Sequence, residues 1–468
     1  MSEKTSGRLV VISNRIALPG ETSTGGLASA MQAALQEHGG LWFGWSGKVS
    51  SEEKLDRISH ESIDYATFDL SRQDHDEFYA GFANRTLWPL LHYRLDMVDY
   101  QRSHLDGYMR TNALFADHLL KLLKPDDVIW VHDYHLIPIA SMLRERGVKN
   151  RIGFFLHTPL PPAALLIVLP KHRALLESLA SYDLVGLQTA RDLRALEDYF
   201  VHEIGGAMRT GGRLRTADGR SFRAAVFPIS IDTTLVAKTA KEAESLEEIK
   251  QLHSSLADRA LIIGVDRLDY SKGLPERFSG YAHLLERAPE LHRQITFLQI
   301  APTSRGVVPQ YRQIRRDLER SAGHINGMYA APDWVPIRYV NQSFPHSVLT
   351  GYYRNARVGF VTPLRDGMNL VAKEYVASQD PENPGVLVLS RFAGAAFELP
   401  DALLINPADT AEVADALERA LKMPLQERRR RWRAMMDVLE KHDLTAWRNR
   451  FLATLKAIHA EPVDAQRL

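Results

Sequence analysis

Leu261-Ile262-Ile263-Gly264-Val265, followed by Asp266-Arg267-Leu268-Asp269-Tyr270-Ser271-Lys272-Gly273, is the stretch whose reading decides the fold. The first five residues form a near-continuous apolar, β-branched run, as expected of a strand buried on both faces of a parallel sheet. The eight that follow are polar and rich in charge, and an amphipathic helical pattern covers 274–287. Strand, polar loop and helix in that order form one unit of an α/β sheet. In such sheets ligands bind outside the carboxyl ends of the strands.

The same order recurs along almost the whole chain. Strand-like runs fall at 9–13, 128–132, 152–156, 184–187 and 224–227, and again at 261–265, 295–300, 358–361 and 386–389. Amphipathic stretches between them include 105–123, 189–203, 274–287 and 410–421. Two series of about 230 residues predict two doubly wound parallel-sheet domains, 1–230 and 231–445. A single barrel of eight units, at ~250 residues, accounts poorly for the length. The seam is expected at 228–233, where Pro228 and Asp232 follow a strand. Gly211-Gly212 and Asp218-Gly219 predict the turns of a small hairpin just before it. A helix and tail at 446–468 is expected to pack back on the first domain. The four arginines Arg428 to Arg431, with Glu427 beside them, read as a solvated helix face.

Composition removes several classes of function. The 468 residues carry 58 Lys+Arg against 57 Asp+Glu, a net charge of +1, so no bulk field draws the chain to nucleic acid or anionic lipid. Zero cysteines exclude a disulfide scaffold, a thiolate metal site and a cysteine nucleophile. The N-terminus has no apolar signal region, and no apolar run reaches the ~20 residues of a membrane helix. A cytoplasmic location is expected.

The residues just after each strand are unusually polar. They are Asn14-Arg15 with Gly25-Gly26 beyond, His132-Asp133-Tyr134-His135, His157-Thr158-Pro159, Asp266 to Gly273, Ala301 to Gly306 and Thr362 to Leu370, with Glu374 one turn into the next helix. Arg15, Arg267, Lys272, Arg305 and Arg365 supply cations, and the helix N-termini after Gly26 and Gly367 could add N–H donors. This set predicts two phosphate-bearing ligands in a cleft, one per domain. No P-loop, no G-x-G-x-x-G after the first strand and no G-x-S-x-G occurs, which disfavours ATPase, dinucleotide oxidoreductase and hydrolase readings. His132 and His135 have H-x-x-H spacing, but a strand end does not place both rings on one face. Asp74-His75-Asp76 copies a D-x-D metal motif inside a helix-like stretch, where an acidic helix N-terminus explains it better. No metal and no cofactor is therefore expected, and activity should survive chelation. Trp45, in the glycine-bounded stretch Gly44-Trp45-Ser46-Gly47 read as a loop, and Tyr79 and Trp88 suit either the core or a sugar ring.

At this point the residues resemble a known family. Ser13-Asn14-Arg15, Gly25-Gly26-Leu27, Leu41 to Gly47, Leu87-Trp88-Pro89, His92-Tyr93-Arg94, Val131 to Leu136, Gly264 to Gly273 and Arg365 to Tyr375 are similar to the bacterial trehalose-6-phosphate synthase family. These are retaining glucosyltransferases of GT-B type, built from two Rossmann-like domains facing a central cleft. The resemblance implies glucose transfer from UDP-glucose to glucose 6-phosphate, giving trehalose 6-phosphate and UDP without a covalent enzyme intermediate. It implies that 1–230 binds the acceptor and 231–445 the nucleotide sugar. Arg267 and Lys272 would clamp the donor diphosphate, approached by Gly26 and by the backbone of Gly367, Met368, Asn369 and Leu370. Glu374 would accept from the ribose hydroxyls, Leu349 would lie near the uracil, and His157 and Asp366 would hold the donor glucose. Arg15, Tyr79, Trp88 and Arg305 would grip the acceptor phosphate and Asp133 an acceptor hydroxyl, with Trp45 beside them. The carried-over catalytic set is Asp133, His157, Arg267, Lys272 and Asp366. A homo-oligomer, dimer or tetramer, is compatible with it; nucleic acid and membrane are not expected partners.

One stretch departs from the family pattern. Where the family is closer to His-x-Pro-Phe-Pro-Ser, this chain has His157-Thr158-Pro159-Leu160-Pro161-Pro162, followed by apolar residues 163–169. Three alternatives stay open at the level of sequence. One is another phosphorylated acceptor, such as glycerol 3-phosphate or a cyclitol phosphate. The second is an ADP- or GDP-glucose donor. The third is a catalytically silent sugar-phosphate binder, which the presence of Arg267, Lys272, Asp366 and Glu374 disfavours.

Overall fold

The computed structural model describes residues 7–19, 31, 32, 34–36, 39–52, 54–303 and 309–458. The chain divides into two compact units, residues 1–228 with 445–468, and residues 229–444.

The first unit is built on a ten-stranded sheet. Its strands are β1 (Leu9–Arg15), β2 (Gly40–Val49), β3 (Leu55–His60), β4 (Ile63–Leu70), β5 (Val128–His132), β6 (Arg151–Phe155), β7 (Leu184–Leu187), β8 (Ala207–Arg209), β9 (Arg213–Arg215) and β10 (Ser221–Val226). Their order is β3-β4-β2-β1-β5-β6-β7-β10-β9-β8. The seven from β4 to β10 pair in parallel, and β3, β9 and β8 add antiparallel edges. The hairpin expected around the two glycine turns is β8–β9–β10.

The reading of Trp45 as part of a loop is corrected: Gly44-Trp45-Ser46-Gly47 lies inside β2. Val11 of β1 pairs with Trp42 of β2, and Trp42 in turn with Tyr65 of β4. Burial on the inner strands outweighs the weak local strand signal of two glycines and a serine.

The second unit holds β11 (Ala260–Val265), β12 (Ile295–Ile300), β13 (Ile337–Val340), β14 (Val358–Val361), β15 (Val386–Ser390) and β16 (Leu403–Ile405). All pair in parallel, in the order β13-β12-β11-β14-β15-β16. This is the order of a doubly wound nucleotide-binding sheet, with its switch point between β11 and β14. In the first unit the corresponding reversal lies between β1 and β5.

The helices used below are α1 (Arg102–Leu120), α2 (Leu274–Arg287), α3 (Pro309–Tyr329), α4 (His346–Arg354), α5 (Leu370–Ser378), α6 (Leu425–Lys441) and α7 (Leu444–Ala457). The inner parallel strands are buried almost throughout, Val10, Trp130, Phe297 and Val388 completely, whereas the edge strands β3 and β8 are exposed. Helix α7 packs on the first unit: Trp447 Nε1 donates to the Phe227 carbonyl at 3.1 Å, and Phe451 stacks on Trp130 with ring centroids 4.7 Å apart.

The four arginines of α6 are a solvated face only in part: Arg429 and Arg430 are exposed, Arg431 is half-buried and Arg428 is buried. Arg428 is 5% exposed and donates to Asn383 Oδ1 at 2.9 Å and to the Pro384 carbonyl. Arg429, Arg430 and Arg431 pair with Glu382, Asp401 and Glu427. Guanidinium forks here cap loop carbonyls, which a charge count along the chain does not distinguish from exposure to water.

Candidate active site

Every described residue singled out at a strand end lies at or beside one of the two switch points. In the second unit the loops after β11, β12 and β14 interlock. Leu364 N–H donates to the Ser271 carbonyl at 2.8 Å, and Leu268 N–H to the Pro302 carbonyl at 3.0 Å. Gly273 has φ +62°, and a Cβ there would meet the Thr362 carbonyl oxygen at 2.1 Å, so only glycine allows the two loops to approach. Asp269 caps the turn, its Oδ1 accepting from Ser271 N–H and Oγ–H at 2.9 and 2.8 Å, its Oδ2 from the Tyr311 hydroxyl of α3 at 2.9 Å. The turn is thus rigid, and it presents Lys272 to the second loop. Lys272 Nζ lies 2.5 Å from Asp366 Oδ2, and both side chains are 13% exposed. Asn369 Nδ2 donates to the same oxygen at 3.1 Å. Asn369 also sits at φ +75° and caps α5, its Oδ1 accepting from Ala372 N–H at 3.1 Å.

Lys272, Asp366, Asn369 and the start of α5 therefore form one cluster, with Gly367 and Met368 in the backbone between them. Gly394 N–H donates to the Asp366 carbonyl at 3.3 Å and Ala395 N–H to that of Met368 at 2.8 Å, which holds this loop from behind. A Cβ on Gly394 would meet the Gly367 carbonyl oxygen at 1.9 Å. Arg267 is exposed at the end of β11. Leu349 is half-buried on α4, and Glu374 lies one turn into α5 with its side chain 17% exposed.

Two residues that sequence reasoning missed complete this half. Arg277 of α2 is fully buried and donates to Asp266 at 2.7 Å, Gln299 at 2.8 Å and Thr362 at 2.9 Å, tying three strand ends together. Its position among the apolar residues of α2, beside Phe278, was the available signal. The other is His346, the first residue of α4, whose Nε2 lies 3.7 Å from Glu374 Oε1. The Glu374 carboxylate facing it raises the His346 pKa above its usual value, against the opposing effect of burial. A raised folded-state pKa means that the pair is complete below the ordinary histidine value of about 6.5 and is lost as pH rises through the raised one. An NMR titration of the His346 ring should therefore show a midpoint above 6.5 that drops in Glu374→Gln. An unchanged midpoint would show that Glu374 is not the partner.

In the first unit, Arg15 ends β1 and is exposed, its guanidinium lying over Gly47. A Cβ at Gly47, where φ is +89°, would come within 2.6 Å of Arg15 Nε. Trp45 is buried, its Nε1 donating to the Lys48 carbonyl at 2.6 Å and its ring centroid 5.3 Å from that of Tyr79. Tyr79 stacks on His135 at 6.1 Å. Trp88 is 6% exposed and packs 4.0 Å from His92 and 5.7 Å from Tyr134. Tyr79 lies within the π-helical segment His75–Leu87 and Trp88 directly follows it, its N–H reaching back to the Ala83 carbonyl. The widened turn shifts the register between these two rings. Asp74, in the D-x-D stretch, pairs with Arg110 of α1 at 2.6 Å. Among the described residues no group of three metal-ligating side chains is placed to hold an ion.

Asp133 follows β5 at φ +74°, a left-handed conformation that costs a non-glycine residue of order 1 kcal/mol or more. Its N–H donates to the Phe155 carbonyl at 2.8 Å, and its Oδ1 accepts from His157 N–H at 3.2 Å. Asp133 and His157, 24 residues apart in sequence, are thus adjacent. His132 lies behind His157, with Nδ1 3.1 Å from its Nε2. Burial holds both imidazoles neutral, pushing His157 down to about 3 and His132 well below its usual value. The altered loop after His157 is explained by packing: Leu160 is 2% exposed and lines an apolar cavity with Leu156, Leu166 and Leu169, while its N–H donates to Asp192 at 3.0 Å. Gly26 and Arg305 lie outside the described residues.

Two Rossmann-like units with chemistry at the carboxyl ends of their parallel strands define an α/β protein of GT-B type. The glycosyltransferase family 20 model matches residues 10–457, and the chain belongs to that family. It is 51% identical over 465 residues to a trehalose-6-phosphate synthase of Enterobacter sp. (strain 638), spanning 98% of this chain and 97% of the relative. Among solved structures it is similar to an α,α-trehalose-phosphate synthase (UDP-forming) from Burkholderia xenovorans in complex with glucose 6-phosphate, at 50% identity and TM-score 0.94, covering 96% of this chain and all of the other. A structure described as trehalose-6-phosphate from E. coli bound with UDP-2-fluoro glucose is 51% identical, with TM-score 0.93 over 97% and 100% of the two chains. Among the described residues no helix is long and apolar enough to cross a membrane.

Proposed function

We propose that this chain transfers glucose from UDP-glucose to glucose 6-phosphate with retention of configuration, giving α,α-trehalose 6-phosphate and UDP. Beyond family membership, the observation that carries the reading is the cluster of Lys272, Asp366 and Asn369 at the β11–β14 switch point, in front of the α5 N-terminus. A diphosphate placed there would meet a lysine, a helix N-terminus and, from the end of β11, Arg267. Glu374 then accepts from the ribose and Leu349 covers the base. Asp366 and His157 take the donor glucose hydroxyls. On the acceptor side Arg15, Tyr79, Trp88 and Arg305 hold the phosphate and Asp133 a hydroxyl, with Trp45 supporting Tyr79.

Cations and backbone donors dominate the set, so catalysis is positioning and stabilisation of the leaving diphosphate. The departing phosphate oxygen takes the proton of the attacking hydroxyl on the same face, which accounts for retention without an enzyme nucleophile. The test is product analysis with UDP-, ADP- and GDP-glucose against glucose 6-phosphate, glycerol 3-phosphate, a cyclitol phosphate and free glucose, with and without chelator. Trehalose 6-phosphate from UDP-glucose, undiminished by chelation, is the expected result. Free glucose should be a poor acceptor, because each charge-assisted phosphate contact is worth roughly 1.5–3 kcal/mol. A different preferred acceptor would overturn the assignment of substrate.

A further inference from the structure

The pair His132–His157 holds more information than its distance. His132 is 0% exposed, and its Nδ1 faces His157 Nε2 at 3.1 Å. With both rings neutral, one nitrogen must supply an N–H and the other a lone pair, so only two arrangements exist. In the first, His157 Nε2–H donates to His132 Nδ1, and His132 carries its own proton on Nε2. That Nε2 is buried and has no hydrogen-bond partner among the described residues. Its neighbour Trp130, with ring centroids 4.5 Å apart, already carries a buried Nε1–H that likewise has no partner. A second orphaned donor beside it would bear a full desolvation penalty with nothing in return. In the second arrangement His132 Nδ1–H donates to His157 Nε2, and the atom left without a partner is a lone pair, the cheaper deficit.

We infer that His132 is a positioning residue that fixes His157 as the Nδ1–H tautomer, so that His157 presents a hydrogen-bond donor, and not an acceptor, from Nδ1. The inference rests on the reading that His157 meets a hydroxyl of the donor sugar, and it deepens that reading. The hydroxyl must accept from His157 and direct its own proton to another group. The rest of the environment suits a fixed ring. Asp133 anchors the His157 backbone N–H at 3.2 Å. The first unit's own C-terminal helix α7 walls the pair: Phe451 stacks on Trp130, and the Trp447 ring lies 6.4 Å from that of His157.

The test is long-range ¹⁵N NMR of the ligand-free, histidine-labelled protein, with turnover measured on His132→Asn and His132→Phe. The asparagine amide can donate from near the Nδ1 position; phenylalanine cannot donate at all. The expected result is a pyrrole-type Nδ1 and pyridine-type Nε2 at His157, kept in His132→Asn and altered in His132→Phe. Turnover should fall about tenfold in His132→Phe, the scale of one lost hydrogen bond, and recover most of the way in His132→Asn. An Nε2–H pattern at His157 in the unaltered protein overturns the inference whether or not either variant folds. The expected tautomer together with equal turnover in both variants overturns the positioning role, and places the failure in the reading of His157 as a sugar contact.

Discussion

Lys272→Ala is expected to lower turnover at saturating donor by about 10²- to 10³-fold, the loss typical of one preorganised electrostatic group aimed at developing charge. Two features of the site make the effect large. The lysine is held by a turn that Asp269 and Tyr311 rigidify, so no reorganisation is needed as charge grows on the leaving diphosphate. Its removal also uncovers Asp366, whose carboxylate is 2.5 Å away and would then face the diphosphate with its charge no longer balanced by the lysine. Both effects are greater in the transition state than in the bound donor, so kcat should fall with kcat/KM. Steady-state kinetics over a donor series decides it. A raised donor KM with unchanged kcat would mean that Lys272 serves ground-state binding alone.

Arg277→Met should destabilise the protein by ~3–5 kcal/mol, the cost of leaving one member of a buried ion pair behind. Asp266, Gln299 and Thr362 all direct oxygens at this guanidinium, and Arg277 is fully buried. A fall of roughly 10 °C in the unfolding midpoint follows for a unit of this size. Burial already raises the Asp266 pKa, with Arg277 the largest opposing influence. Without Arg277 the Asp266 pKa rises further, and a raised folded-state pKa means stability lost as pH increases. The variant's deficit should thus be smaller near pH 4 than at pH 7. The double variant Asp266→Leu, Arg277→Met should recover part of the loss, since it removes the unpaired charge. A single variant as stable as the parent would show that Asp266 is held by other groups.

Much of the molecule was legible from the chain itself. Apolar runs such as 261–265 and 295–300 announce buried parallel strands because each must satisfy two covered faces with β-branched and aliphatic side chains. The ends of those runs point to the candidate site, because polar residues such as Asp133, Arg267 and Asp366 gather just beyond them. Where local signal was weak, it misled. Gly44-Trp45-Ser46-Gly47 read as a loop because its two glycines and serine dilute the strand pattern, whereas pairing of Val11 with Trp42 and of Trp42 with Tyr65 places it in an inner strand. Arg428 of α6 read as part of a solvated face because charge along a helix carries no record of what packs against it.

What the sequence alone determined was the alternation of strand and helix, the two series, the kind of chemistry at the strand ends and the family. Those follow from periodicity and residue type, which act over a few neighbouring positions. What only the tertiary structure decided was which of those residues touch. Lys272 and Asp366 are 94 residues apart, Arg277 and Thr362 85, His132 and His157 25, and Trp447 and Phe227 220. Such pairs are set by sheet register and by which face of each helix is buried. A one-residue slip in either would turn every side chain of the element away from its partner.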